Sequence, residues 1–341
     1  RSRWLEGRPL SRAQRQNPGT APPTATCSHA TNGLAISALH ESRITTNHEL
    51  RAMSTPAQLL NLPAPAKLNL FLHVVGRRDD GYHLLQSAFM LIDWQDTLDL
   101  TLTTDGGITR SQEGAGDLPA NDDLCVRAAR ALQQATSCRH GAHIHLRKYI
   151  PMQAGMGGGS SDAATVLMGL NRLWNTGLSS EQLQAIGLPL GADVPFFLFG
   201  RNAWVEGIGE QLQAIDLPPA RFVVAKPAAG LATAAIFTAP DLPRATPATR
   251  LGDFANSAAP YAFGHNDLQI PATRLCPAIA EAIDWLAQYG LHARMTGSGS
   301  AVFAPLPAGM DADILQQHAP KNCKVQVCSN LSQHPLLQCG A

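Results

Sequence analysis

The clearest alternation of apolar and polar positions begins at Lys67. Leu68, Leu70, Leu72 and Val74 are separated by Asn69, Phe71 and His73, which predicts a half-buried strand. Gly76 to Gly81 then turns. Ala88 to Trp94 and the alternation Leu98, Leu100, Leu102 predict a second strand pair, and Ile144 to Leu146 a short strand ahead of Pro151. Past that proline the period lengthens to that of a helix. Ala163, Val166, Leu167, Leu170 and Leu173 share one face, with a stop at Gly177. The capping-box pattern Ser179-x-x-Gln182 starts another helix, which ends near Gly187 and turns Leu183 and Ile186 inward. Later, Ile279, Ile283 and Leu286 form a helical face closed by Gly290, followed by a strand, the turn Gly297 to Ser300 and the strand Ala301 to Ala304. Strands and helices mix without a regular βαβ rhythm. The expected class is α+β.

A chain of 341 residues exceeds what one core usually serves. The Pro-rich stretch Leu217 to Ala220, entering the strand Phe222 to Ala225, divides it into residues 57–218 and 219–341. Residues 1–56 differ in kind, being polar, rich in Arg, Ser, Thr and Pro, and without sustained periodicity. Their excess of Arg over Glu resembles a transit peptide. Met53, shortly before the first strand, equally marks a native start, with the leader as disordered, upstream or vector-derived sequence. The expected compartment is the cytoplasm, or a plastid if the leader is a genuine transit peptide.

Lys plus Arg balances Asp plus Glu at 26 each, which gives neither nucleic acid nor a membrane surface as a partner. The strongly apolar stretch Val194 to Phe199 is far short of the roughly 20 residues a membrane span needs. Seven cysteines contain no C-x-x-C pair and twelve histidines no metal-binding spacing, so the reading is reduced thiols and no assigned metal ligands.

The chemistry concentrates in Pro151-Met152-Gln153-Ala154-Gly155-Met156-Gly157-Gly158-Gly159-Ser160-Ser161. Four glycines in five positions cannot serve helix stability, since each costs about 1 kcal/mol against Ala there. They supply a backbone that turns tightly and exposes N–H groups to an anion, and the helix that follows adds its positive N-terminal dipole. No Gly-Lys-[Ser/Thr] ends the run, so it is not a Walker A loop; Ser160 stands where a dinucleotide fingerprint needs glycine. Protein-kinase H-R-D and D-F-G segments are absent.

Pro151 to Ala164 resembles the central motif of the GHMP kinase superfamily. Pro65-Ala66-Lys67-Leu68-Asn69-Leu70 is similar to its first motif and Thr296-Gly297-Ser298-Gly299-Ser300-Ala301 to its third. With Asp80-Gly81-Tyr82-His83 and Leu190-Gly191-Ala192-Asp193-Val194-Pro195, the set resembles the branch of that superfamily acting on a cytidine diphospho-methylerythritol. The resemblance runs from about Pro63 to near the C-terminus. It implies a ribosomal protein S5 domain 2-like domain packed on a ferredoxin-like one, ATP with Mg²⁺, and phosphorylation of the substrate's 2-hydroxyl in the non-mevalonate route to isoprenoid precursors.

The resemblance makes Asp193 the group that takes the hydroxyl proton and Lys67 its cationic neighbour. Pro151 to Ser161 would hold the ATP phosphates, with the Ser160 and Ser161 hydroxyls as donors or within reach of Mg²⁺. Tyr82 and His83 would receive the cytosine, with Asn69 and Lys148 as polar contacts and Phe237 as a second stacking face. Lys67 is the only charge in the run Leu62 to Val75; a lone lysine is ordinarily exposed, and it is the resemblance that sets this one beside Asp193. Asn266-Asp267-Leu268 reads as structural. Gln153-Ala154 stands where some relatives carry more glycine. The competing readings are a homoserine, mevalonate or sugar kinase, which Tyr82-His83 opposes, and a nucleotide-binding regulator without turnover, which the presence of both Lys67 and Asp193 opposes.

Overall fold

The alternation that opens the sequence becomes one edge of a long strand pair. In the computed structural model, which describes residues 57–114 and 123–338, β1 (Gln58–Arg77) lies antiparallel to β2 (His83–Thr103) along nearly its whole length. The free edge of β2 is shared. β5 (Ala203–Glu206) pairs with Ser87 to Phe89, and β4 (Gly141–Lys148) pairs with Thr97 to Thr103. β3 (Ile108–Gly114) runs parallel to β4 on the outside, and β6 (Gln211–Ala214) flanks β5, completing a six-stranded sheet. A second, four-stranded sheet has the order β10-β7-β9-β8, with β7 (Arg221–Pro227), β8 (Arg294–Met295), β9 (Val302–Pro305) and β10 (Cys323–Ser329), all antiparallel.

This layering corrects two expectations. β1 is not half-buried: Phe71 is fully covered, as are Leu68 and Leu70, and Asn69 and His73 are buried too. One side of the first sheet packs on helices α1 (Leu124–Thr136), α2 (Gly158–Leu173), α3 (Ser180–Gly187) and α4 (Val194–Phe199), through Leu62, Leu91, Leu98 and Phe196. The other side packs on the second sheet, with Leu68, Leu70, Met90 and Ile92 against Phe222, Val224 and Phe303. A sheet covered on both faces needs apolar residues in both registers. The two strands expected from Ala88–Trp94 and Leu98–Leu102 are in fact the single strand β2, whose pairing with β1 carries register shifts.

The helix predictions hold. α2 ends at Leu173, ahead of Gly177, and Asn175 takes the first left-handed conformation (φ 53°). Ser179 caps α3 with both halves of the capping box formed, and Leu183 is buried. The described residues all belong to one compact unit, Met53–Ala341, and the chain passes from the first sheet to the second between Ala214 and Arg221. The predictions made for residues 1–56, Met53 and Cys27 among them, lie outside the described residues. No helix among the described residues is long and apolar enough to cross a membrane.

Candidate active site

The Gly-rich run joins β4 to α2 and is fastened on both sides. The Lys67 amide donates to the Met156 carbonyl (3.0 Å), while Ser300 N and Ala301 N donate to the carbonyls of Gln153 (3.1 Å) and Ala154 (3.2 Å). Ala154 and Met156 bury their side chains in the shared core, which leaves the intervening backbone facing outward. Gly155 sits at φ +72°, where a Cβ would lie 2.2 Å from the Thr296 carbonyl oxygen. A side chain there is excluded twice over, by conformation and by space. Gln153 accepts the same left-handed region (φ 51°) without being glycine. Gly157 is the N-cap of α2 with no side-chain cap, and the first amide to bond within the helix is that of Ser161, to the Gly157 carbonyl (2.9 Å). The amides of Gly158, Gly159 and Ser160 therefore open a helix dipole toward the cleft.

One expectation about the loop is corrected. The Ser161 hydroxyl is buried and donates to the Pro65 carbonyl (2.7 Å), locking α2 to β1 instead of facing a phosphate; Ser160 lines the cleft.

Lys67 leaves β1 beside this loop, 3% exposed, with its Nζ 3.6 Å from an Asp193 carboxylate oxygen. Its ammonium also donates to Asn69 Oδ1 and stands over the Phe89 ring at 4.5 Å. Asn69 is held in turn, its amide N–H on Thr296 Oγ1 (2.8 Å) and its Nδ2 on Ser87 Oγ (3.0 Å). Burial lowers the Lys67 pKa from the ordinary lysine value, and the Asp193 carboxylate opposes that shift. Asp193 immediately precedes α4 yet caps nothing with its side chain, so its carboxylate is left for the cleft.

Tyr82 and His83 lie at the far end of the same cleft. The His83 ring stacks on Phe237 at the end of helix α5 (Thr233–Phe237), with centroids 5.1 Å apart and planes at 29°. Its Nε2 is buried without a partner. Burial, then the charges of Arg244 and Arg77, push its pKa below the usual histidine value, so the ring is a neutral one. Tyr82 is 61% exposed, an aromatic face with nothing against it in the free protein.

Lys148 lines the same cleft as Tyr82 and His83, with its ammonium engaged by carboxylates. Its ammonium donates to Asp162 (2.6 Å) and to Asp96 under the start of α2. Asp96 also takes the amides of Tyr149 (2.6 Å) and Ile150 (2.8 Å), fixing the chain as it enters the loop. Two carboxylates around one ammonium leave one negative charge in excess, and burial lifts the Asp162 pKa to about 8. The sequence carried no signal for Asp96, since one of three acids spaced along a strand, with Asp93 and Asp99, reads as a solvated position.

Asn266, read as structural, is so: its Nδ2 donates to the carbonyls of Met295 (2.8 Å) and Gly297 (2.9 Å), and Asp267 Oδ2 accepts from Val74 N (2.6 Å). The third motif is thereby braced from behind while it braces the phosphate loop in front. Loop, Lys67, Asp193, Tyr82, His83 and Phe237 all line one cleft of about 1110 Å³. Its backbone donors and fixed cation suit a polyphosphate. No group of three or more His, Cys, Asp or Glu among the described residues could hold a metal ion.

A cleft with a glycine anion loop at a helix start and a Lys–Asp pair beside it defines a small-molecule kinase of the GHMP type. The family models agree, matching the GHMP kinases N terminal domain at residues 123–201 and the GHMP kinases C terminal at residues 245–325. A protein of Paracidovorax citrulli described as 4-diphosphocytidyl-2-C-methyl-D-erythritol kinase is 61% identical over 282 residues, covering 82% of this chain and 96% of that protein. A crystal structure of 4-(cytidine 5'-diphospho)-2C-methyl-D-erythritol kinase superposes with a TM-score of 0.65 at 34% identity, covering 80% of this chain and 98% of that one. Homoserine kinase from Cytophaga hutchinsonii shares the fold (TM-score 0.61) at 14% identity. The chain belongs to the 4-diphosphocytidyl-2-C-methyl-D-erythritol kinase family.

Proposed function

We propose that the chain transfers the terminal phosphoryl group of ATP to the 2-hydroxyl of 4-diphosphocytidyl-2-C-methyl-D-erythritol, with the hydroxyl between Lys67 and Asp193 and the cytosine at Tyr82, His83 and Phe237. The observation that carries this reading is the 3.6 Å Lys67–Asp193 pair beside the phosphate loop, in one cleft with the His83–Phe237 stack. Asp193 orients the acceptor hydroxyl and takes its proton as the P–O bond forms. Lys67 holds the carboxylate in place and offsets charge on the moving group. Asn69, tied to Thr296 and Ser87, keeps the Lys67 ammonium from turning away. The amides of Gly158 to Ser160 meet phosphate oxygens. Mg²⁺, when bound, would neutralise phosphate charge, and Ser160 and Asp193, which line the cleft, would be available to it as oxygen ligands.

Neutral, partnerless His83 Nε2 suits hydrogen bonding to a base edge, and Tyr82 offers the open stacking face. Among the described residues Cys125, Cys138, Cys276, Cys323 and Cys328 are free thiols, which suits a reducing cytoplasm, and the balanced charge gives nucleic acid no purchase.

Purified protein with Mg-ATP is expected to phosphorylate the cytidyl substrate, and Asp193→Ala and Lys67→Ala each to lower kcat by roughly a thousandfold. Full turnover by both variants would overturn the mechanism. Turnover of homoserine with none of the cytidyl substrate would overturn the substrate. Because burial depresses the Lys67 pKa, the alkaline loss of activity should begin below the pH at which a free lysine deprotonates.

A further inference from the structure

Arg244 lies in the segment that follows α5, between the two stretches matched by the family models, and lines no part of the cleft. Its guanidinium is spent on the last carbonyl of that helix and on carbonyls of the segment just beyond it. Nη2 donates to Ala239 O (2.7 Å) and Phe237 O (3.4 Å), and Nη1 to Leu242 O (3.2 Å). A helix of five residues has little cooperativity of its own, and its last carbonyls carry the negative end of the dipole, so a forked cation there is a natural fastening. The other end of α5 is tied to the third motif through Thr233 Oγ1 and Ser298 Oγ (2.8 Å).

We propose that Arg244 is a positioning residue for acceptor recognition: by gripping the end of α5 it holds the Phe237 ring against His83. This rests on the assignment of His83 and Phe237 to the cytosine. Its charge acts in the same direction. His83 faces Arg77 across the β1–β2 pair and Arg244 from the segment beyond α5, while on its own turn Asp80 is occupied by Arg78 (2.7 Å). Burial and, after it, the two cations favour the neutral ring, in which Nε2 presents one defined hydrogen-bonding role to the base and not a second positive charge.

The test is steady-state kinetics on Arg244→Met, Arg244→Lys and Phe237→Ala, with the His83 ring titrated by NMR. Arg244→Met should raise KM for the cytidyl substrate about tenfold, leaving KM for ATP and kcat within about twofold. Removing the cation raises the His83 pKa, so in Arg244→Met the imidazole should take its proton at a higher pH than in the parent. The rise in substrate KM on acidification should begin at that higher pH. Arg244→Lys keeps the charge but not the fork, and should leave the His83 titration near the parent's while KM is intermediate. If Phe237→Ala raises KM and Arg244→Met does not, the role of Arg244 is refuted and the cytosine site stands. If neither moves KM, the cytosine site itself is refuted. Equal losses with both substrates and in kcat for Arg244→Met would make it a fold residue and overturn the proposal.

Discussion

The two ends of the cleft are built on opposite plans. At the phosphate loop the ligand-facing groups are backbone amides, and every neighbouring segment is fixed: β1 by the Lys67 amide, the third motif by Ser300 and Ala301, and the core by Ala154 and Met156. At the acceptor end the ligand-facing groups are side chains on a tight turn and a five-residue helix, with Tyr82 largely in solvent. The first arrangement must place a polyphosphate the same way at every turnover, and it couples the site to the stability of the fold. The second is the end we propose to discriminate one acceptor from another, and its exposed Tyr82 can vary without disturbing the core. Stability and specificity are therefore separable in this molecule.

The largest effects expected from breaking that separation fall on the loop. Gly155→Ala brings a Cβ onto the Thr296 carbonyl and within 2.8 Å of the Gly299 nitrogen, both backbone atoms with no room to yield, at a left-handed φ. A loss of about 3 kcal/mol or more follows, seen as a fall in Tm of roughly 5–10 °C together with loss of ATP turnover. Tyr82→Ala is the matched change at the other end. It should leave Tm unchanged, within about 0.5 kcal/mol, and raise KM for the cytidyl substrate roughly tenfold, the worth of one stacked base. Calorimetry and kinetics on the two variants side by side check this; a Tyr82→Ala protein as unstable as Gly155→Ala would dissolve the distinction.

The same contrast explains what could be read from the chain. The loop was legible because its chemistry is contiguous: clustered glycines ahead of a helical period mean one thing wherever they occur. Lys67 stood out as the charge in an apolar strand, and the structure buries it. Phe71 and His73, taken as the outward face of β1, are buried because Trp204, Phe254, Phe263 and His265 close over them, a fact about tertiary packing that no strand period contains. Phe237 came to His83 only through resemblance, since two aromatic residues far apart in sequence declare no partnership until β2 and α5 meet. Arg244 and Asp96 gave no signal for the same reason. Their partners are carbonyls and charges delivered by other segments. The family models stop short on both sides of this region too, covering neither Tyr82 and His83 nor the segment from Phe237 to Arg244.

The last effect expected lies beneath the loop and asks whether its stability carries an electrostatic cost. Asp162, in the first turns of α2, shares Lys148 with Asp96, and its Oδ1 is buried without a partner. With its pKa raised to about 8, the folded protein keeps a proton there that the unfolded chain, with an ordinary aspartate pKa of about 3.9, has released. Between those two values the folded state binds more protons than the unfolded one, so this group makes stability fall as pH rises, from no effect below about pH 4 to its limit above pH 8. Asn has the shape of the protonated acid and cannot ionise. Asp162→Asn should match the parent's Tm near pH 4 and exceed it at pH 8, with the gain appearing as the pH climbs through that window. Thermal melts of both proteins at a series of pH values measure it. A variant that keeps the parent's slope would show that the proton belongs elsewhere in the Asp96–Lys148–Asp162 cluster; a flattened slope would show that the rigid end of the cleft carries an ionisable burden in the charges that fasten it.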